Sequence, residues 1–359
     1  MWATQKFSSR PERDRIFKAL DILYADIFEN PGKKGINIPV DHQAGKIIIL
    51  SDQHKGGRDG ADDFILAESN YLAALDYYNK ENFIYIGLGD CEELWENTLG
   101  KVKESYPKTF EAESKFAGRD SYVKIFGNHD LYWGNDPLAW WQLKKLYKAD
   151  IKIYEGVVLT VSIGNNQLRI FCTHGHQGDA QSDGNWFSKF FVARVWAPLQ
   201  AYLRINPNTA AYNTEKKTLH NEIMYEWSAR QKGILLITGH THQPVFSSLT
   251  HLERLYKKLQ RAKADNNPEA IKKMEAEIKV RETGAAITID YLLLKPTYFN
   301  SGCCCFVDGD ITGIEIAEGF IRLVKWTLKD EKPQRELLEE ISLADLYREI
   351  IEPVLSQPA

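Results

Sequence analysis

The sequence predicts an α/β fold, and three observations carry that reading. Short apolar runs recur along the chain: KIIIL before Ser51, NFIYIGL before Gly89, YVKIF before Gly127, LRIFC before Thr173 and GILLIT before Gly239. Each run is continuous rather than alternating, which is the pattern of a strand covered on both faces. Stretches of helical spacing separate the runs. The third observation is size and composition. A chain of 359 residues, 43% hydrophobic and 12% aromatic, can bury a core of that kind.

The elements follow in order. Residues 11–28 carry Ile16, Phe17, Leu20, Leu23, Tyr24 and Ile27 at helical spacing, Pro11 suits the first turn, and Pro31-Gly32 ends the helix. The five strand runs come next, interrupted by two insertions. Residues 185–232 open with the aromatic stretch WFSKFFVARVWAPLQAYLRI. They continue into a helix with Leu219, Ile223 and Trp227 on one face, which stops at Gly233. Residues 251–282 are densely charged and broken at Asn266-Asn267-Pro268, which predicts a solvated helical hairpin. Strands resume with YLLLKPTYFNSGCCCF, ITGIEIAEG and FIRLVKWTL, and a terminal amphipathic helix is expected to about Val354. No internal repeat is present, so residues 1–359 are expected to form a single domain with two insertions.

Bulk properties narrow the function classes. A formal net charge of -4 argues against a protein held on nucleic acid by bulk charge, although a local basic patch is compatible with it. No apolar run approaches the roughly 18 residues that span a bilayer. The N-terminal sequence has no uninterrupted apolar segment of the secretory kind, so a cytoplasmic location is the expectation. Cys303, Cys304 and Cys305 are adjacent and Cys91 and Cys172 isolated, so no disulfide framework is expected. The triple run is read as part of a strand, in which neighbouring thiols point to opposite faces and pack as small apolar groups.

Five polar clusters stand at strand ends: Asp52-Gln53-His54, Gly89-Asp90, Gly127-Asn128-His129-Asp130, His174-Gly175-His176 and Gly239-His240-Thr241-His242. The carboxyl ends of strands are where α/β sheets collect ligands. Six of the nine histidines (54, 129, 174, 176, 240 and 242) lie in these clusters. Mixed carboxylate and imidazole donors suit divalent ions such as Mn, Fe or Zn. Asp52 with His54, and His240 with His242, alternate along the chain and so face one side of an extended segment.

The order and content of the clusters resemble the calcineurin-like metallophosphoesterase superfamily, whose pattern is D-x-H, G-D-x-x-D/E, G-N-H-D/E, H and G-H-x-H. The match runs from about residue 46 to 245 with every block present. It implies a four-layered α/β/β/α sandwich with two sheets and helical insertions. It also implies two divalent metal ions, one held by Asp52, His54 and His242 and the other by Asn128, His174 and His240, with Asp90 shared. The activity implied is hydrolysis of a phosphoester or pyrophosphate by hydroxide attack on phosphorus. The resemblance gives His129 the role of donor to the phosphoryl group or acid for the leaving oxygen, with Asp130 orienting its ring. Glu93 fills the last position of the second motif, but Glu92 is adjacent and the sequence does not choose between them. His176 reads equally as a contact to substrate or an outer partner and as a plain polar contact, and Arg58 as an exposed loop residue rather than a phosphate contact.

A narrower resemblance, through GLGDCEELWEN, the insertion after THGH and GHTHQPVF, is to the UDP-2,3-diacylglucosamine pyrophosphatases, with His129 where their best-known members carry arginine. It implies a phosphate-containing or lipid-linked substrate and leaves a peripheral membrane contact open, with the aromatic insertion as a lid. The contrasting classes are a repair-type nuclease, which needs a basic groove, and a non-catalytic scaffold, which should lack a ligand. This chain keeps them all.

Overall fold

The computed structural model describes residues 11–178, 214–281 and 295–351. The chain runs α1 (Arg13–Glu29), β1 (Gly35–Asp41), β2 (Ile47–Leu50), α2 (Glu68–Lys80), β3 (Ile84–Leu88), α3 (Leu99–Ser105), α4 (Pro107–Ala117) and β4 (Tyr122–Ile125). It continues with α5 (Tyr132–Asn135), α6 (Ala139–Tyr147), β5 (Ile153–Tyr154), β6 (Gly156–Ile163), β7 (Asn166–Thr173), α7 (Thr214–Arg230) and β8 (Ile234–Thr238). The last elements are β9 (Val245–Phe246), β10 (Leu249–Thr250), α8 (His251–Ala264), α9 (Pro268–Arg281), β11 (Tyr298–Asn300), β12 (Ile311–Ala317), β13 (Phe320–Lys329), β14 (Lys332–Ser342) and α10 (Leu343–Ile351).

The strands form two sheets, β1-β6-β7-β8-β11-β9-β10 and β14-β13-β12-β2-β3-β4-β5. The continuous apolar runs are what a doubly covered strand requires. In β2, Ile47 and Ile49 face the space between the sheets, where they meet Leu159, Ile170, Leu235 and Ile237. Ile48 and Leu50 face the other way, onto a core with Tyr71, Leu75 and Phe116 of the covering helices. On the far side, Ile16, Leu20, Leu23 and Ile27 of α1 and Trp227 of α7 pack on Val158, Phe171 and Leu236. Three apolar interfaces therefore separate four layers, α/β/β/α, as expected. The parallel strands β2, β3 and β4 of one sheet and β7 and β8 of the other supply the strand ends on which the site is built.

The charged hairpin forms as α8 and α9, and a Thr250–Glu253 capping box starts α8. Leu255, Leu259 and Ile278 make its own small core. The stretch before Leu343 departs from expectation. Residues 332–342, read from sequence as the start of a terminal helix, form β14, which pairs with β13 along its length. Asp330 and Glu331 turn the hairpin with positive φ at both positions, and pairing with β13 overrides the helical spacing of Leu337, Leu338 and Ile341. The helix starts only at Leu343. The second half of the 185–232 insertion is α7, whereas the aromatic stretch proposed as a lid lies outside the described residues.

Candidate metal centre

The loops that follow β2, β3, β4, β7 and β8 converge between the two sheets. Past the strands, the backbones stay paired: Asp52 N donates to Gly89 O at 3.0 Å, and His54 N donates to Asp90 O at 2.9 Å. Asp52, His54, Asp90, His240 and His242 all have positive φ, between 49° and 68°. Each costs of order 1–3 kcal/mol for a residue with a Cβ, so the loops hold the ligand-type side chains in conformations that the backbone alone disfavours. Glycine makes room twice. A Cβ on Gly127 would meet the Asp90 carboxylate, and one on Gly239 would meet that of Asp52.

The expected ligand residues pack into one continuous set. Asp52 Oδ1 lies 3.2 Å from His242 Nε2 and 3.9 Å from His54 Nε2. The two imidazole Nε2 atoms are 3.2 Å apart. Asp90 Oδ2 lies 3.7 Å from His54 Nε2 and 3.1 Å from His174 Nε2, so one oxygen faces both halves of the site. Asn128 Oδ1 lies 3.3 Å from His174 Nε2, and His240 clusters with Asp90 and His174. All seven predicted ligand residues are therefore brought together. Asp52, Asp90 and His174 are almost completely buried.

The outer nitrogens explain why the inner ones converge. His54 Nδ1 meets Glu93 Oε2 at 2.9 Å, and His174 Nδ1 donates to the Leu88 carbonyl at 2.9 Å. A proton fixed on Nδ1 leaves Nε2 with its lone pair toward the centre. Burial opposes charge on His174, but Asp90 and Asp52 outweigh it and raise the imidazole to about 9. His240 goes the other way, because burial and the neighbouring His220 and His174 rings hold it well below the usual imidazole range. Burial also opposes the Asp90 carboxylate, yet His174 and His129 keep it well below the carboxylate range. Imidazole nitrogens, an amide oxygen and carboxylates are the donor set that a divalent cation binds, the cation displacing the imidazolium protons, so the residues fit the ions that the sequence implies.

His129 stands beside this group. Its Nδ1 is 2.7 Å from Glu93 Oε2, its ring stacks on Trp95 at 4.3 Å, and its edge meets His54 at 4.6 Å. Burial disfavours the imidazolium, but Glu93 and Asp90 raise His129 to about 9. The structure thus answers the choice that the sequence left open. Glu93 serves the centre, holding His54 and His129 through one oxygen. Glu92 lies beneath it, between Lys124 (2.9 Å), Lys55 (3.2 Å) and the Trp133 indole (2.7 Å).

Two expectations are corrected. Asp130 does not orient His129. Its carboxylate accepts the backbone N–H groups of Gly127 (2.5 Å), Cys91 (2.8 Å) and Asp90 (3.3 Å), which braces the β3 and β4 loops. Burial pushes it up to about 6. The cysteine run is not in a strand either, since β11 ends at Asn300. All three thiols are buried as expected, but only Cys304 joins the helix-side core, and Cys305 Sγ lies 3.8 Å from His242 Nδ1.

Of the remaining residues, the His176 ring centroid lies 5.4 Å from that of His174, and Arg58 is tied to Glu68 and to the Ser105 carbonyl at the surface. Sequence reasoning passed over Trp95 and His220, and read Cys303, Cys304 and Cys305 only as strand packing. His220 Nε2 donates to the Gly175 carbonyl at 2.8 Å in the site's wall, and its ring lies 5.1 Å from that of His240. Trp95 carried a signal, two residues after Glu93, whereas His220 sat in an ordinary helical pattern.

Residues 45–244 match the calcineurin-like phosphoesterase family, a span that includes all five clusters. No curated protein matches the chain. Among solved structures, the chain is similar to vacuolar protein sorting 29 from Cryptosporidium parvum. That likeness has a TM-score of 0.33 and 12% identity, and covers 84% of this chain and 99% of that one. A second likeness is to wild-type Vps29 complexed with zinc from Entamoeba histolytica, with a TM-score of 0.29 and 14% identity over 82% of this chain and 98% of that one.

Proposed function

The chain belongs to the calcineurin-like phosphoesterase family, and from that premise we propose that it hydrolyses a phosphoester with two divalent ions. Asp52, His54 and His242 would hold one ion, Asn128, His174 and His240 the other, and Asp90 both. The observation that carries this reading is the single oxygen Asp90 Oδ2, which faces His54 Nε2 at 3.7 Å and His174 Nε2 at 3.1 Å. When bound, Mn, Fe or Zn ions would supply Lewis acidity there, neutralising phosphoryl oxygens and acidifying water for attack on phosphorus.

The chain's own residues have distinct tasks in this reading. His129, with Nδ1 on Glu93 and a raised affinity for protons, carries a proton at neutral pH. Its Nε2–H can therefore donate to a phosphoryl oxygen or to the leaving oxygen. Glu93 keeps that ring and the His54 ring in fixed register through one carboxylate oxygen. Trp95 covers one face of His129 and limits the positions from which water reaches it. Asp130 fixes the backbone from which Asp90 and His129 project.

The test is a substrate panel on chelator-stripped protein, resupplied with Mn or Zn. It would cover a phosphomonoester, a phosphodiester, a nucleotide-sugar pyrophosphate and single-stranded DNA. Metal-dependent hydrolysis of at least one of the first three is expected. Failure to bind any divalent ion, or no turnover of any substrate with metal bound, would overturn the proposal. Preference for DNA that falls steeply with salt would instead favour a nuclease.

A further inference from the structure

A sixth segment, residues 300–305, builds part of the centre from beyond the region 45–244 that matches the family. It follows β11 and is locked against the Asp52 loop. Cys304 N donates to the carbonyls of Ser51 and Asp52, both at 3.1 Å. Ser301 Oγ meets Ser51 Oγ at 2.7 Å, and Ser51 in turn bonds the Asp52 carboxylate. The side chains then divide. Cys304 turns into the core beneath the covering helices, whereas Cys303 and Cys305 turn toward His242.

Where the outer nitrogens go makes this division informative. A metal-binding imidazole needs its second nitrogen held by a partner, which sets the tautomer and aims the first. His54 uses the Glu93 carboxylate and His174 the Leu88 carbonyl. For His242 the neighbour of Nδ1 is the Cys305 sulfur at 3.8 Å. Nε2 of the same ring faces Asp52 at 3.2 Å and His54 at 3.2 Å. Sulfur is a weak acceptor, but it is large, and its longer bond to Cβ reaches an N–H that an oxygen at the same position would miss. His54, His242 and Cys305 also form one tight donor group.

We propose that Cys305, with Cys303 beside it, is the positioning residue of His242, so that one of the two cation positions depends on a thiol. The thiol accepts the Nδ1–H and presents Nε2 beside Asp52 and His54. Removing it leaves the ring free to turn away, and the Asn128, His174 and His240 position is untouched. This rests on the dinuclear reading above and adds to it a dependence that the five motifs do not contain.

The test is titration of the metal-free full-length protein with Mn, with bound metal counted directly. The wild-type protein is expected to bind two ions. In Cys305→Ala one ion binds as before and the other about 10- to 100-fold more weakly, the usual effect of losing an outer partner. Cys305→Ser, a better acceptor with a shorter reach, is expected between the two. At saturating Mn, kcat of Cys305→Ala recovers while the Mn concentration for half-activity stays raised. Cys304→Ala, which loses only core packing, is expected to lower the melting temperature and leave both affinities alone. Two ions bound by Cys305→Ala at wild-type affinities would overturn the inference. A wild-type protein that binds no Mn overturns the dinuclear reading itself. Should Cys305→Ala fail to fold, methanethiosulfonate labelling of Cys305 in the wild-type protein replaces it. Loss of one bound ion per label is expected, and retention of both overturns the inference.

Discussion

The two sheets contribute unlike halves to the centre. From the sheet containing β2, β3 and β4 come Asp52, Asp90 and Asn128, with His54 as its one imidazole among the proposed ligands. From the sheet containing β7 and β8 come only imidazoles, His174, His240 and His242. The supports beneath them differ in the same way. Under the β2–β4 loops lies a buried chain of charges, in which Glu113 meets Lys55 (2.6 Å), Lys55 meets Glu92 (3.2 Å) and Glu92 meets Lys124 (2.9 Å). Under the β8 loop lies a neutral net centred on Asn300. Its amide donates to the Gly239 carbonyl (2.7 Å), Thr238 Oγ1 (3.0 Å) and Thr241 Oγ1 (3.2 Å). One half is held by ion pairs in a dry interior and the other by neutral hydrogen bonds, so the two should fail differently. The site also exists only where both sheets meet, which ties ligand geometry to closure of the sandwich.

The largest expected effect lies at the shared residue. Asp90→Ala should lose both ions and all hydrolysis, whereas His240→Ala should lose one ion. Equal stoichiometry in the two variants would break the idea that Asp90 serves both halves. Next is His129→Gln, expected to keep normal metal content while kcat falls about 10²- to 10⁴-fold; an unchanged kcat would remove His129 from the chemistry.

The supports come after the ligands. Lys124→Met leaves the buried Glu92 short of a partner and should cost about 3–5 kcal/mol in denaturant unfolding. Asn300→Ala, which strips a neutral bond from the Gly239 carbonyl, should cost about 1–3 kcal/mol. If Asn300→Ala proves the more damaging, the ranking of the two supports is reversed.

The smallest effect is one of pH. Burial opposes the Glu92 carboxylate, but Lys124 and Lys55 prevail and hold it at about 2, below its ordinary 4.5. A depressed carboxyl contributes stability that is fully present above the unfolded value and is lost as pH falls toward the folded one. Thermal melts between pH 4.5 and 2 should therefore fall less steeply in Glu92→Gln than in the wild-type protein. Asn300→Ala should keep the wild-type slope there, because its partners do not titrate in that window. Parallel slopes for Glu92→Gln and the wild type would count against the charged half as the acid-sensitive one.

Much of the fold was legible because β2, β3, β4, β7 and β8 are apolar throughout, and a strand of that kind has to be covered twice. The hairpin of α8 and α9 was legible from its Asn-Asn-Pro break. β14 was not, because Leu337, Leu338 and Ile341 satisfy a helical period, and only pairing to β13 makes the segment a strand.

Residue type and local spacing, by themselves, marked the five clusters from which the proposed ligands come. Asp52 to His54 and His240 to His242 are two residues apart, and their chemistry travels with the chain wherever it folds. Tertiary structure alone decided the partners. It chose Glu93 over Asp130 for His129 across 36 positions, gave the same oxygen to His54 across 39, and brought Cys305 to His242 across 63. These contacts exist because loops from two sheets close over one point, and no local pattern of residues records which side chains meet when they do.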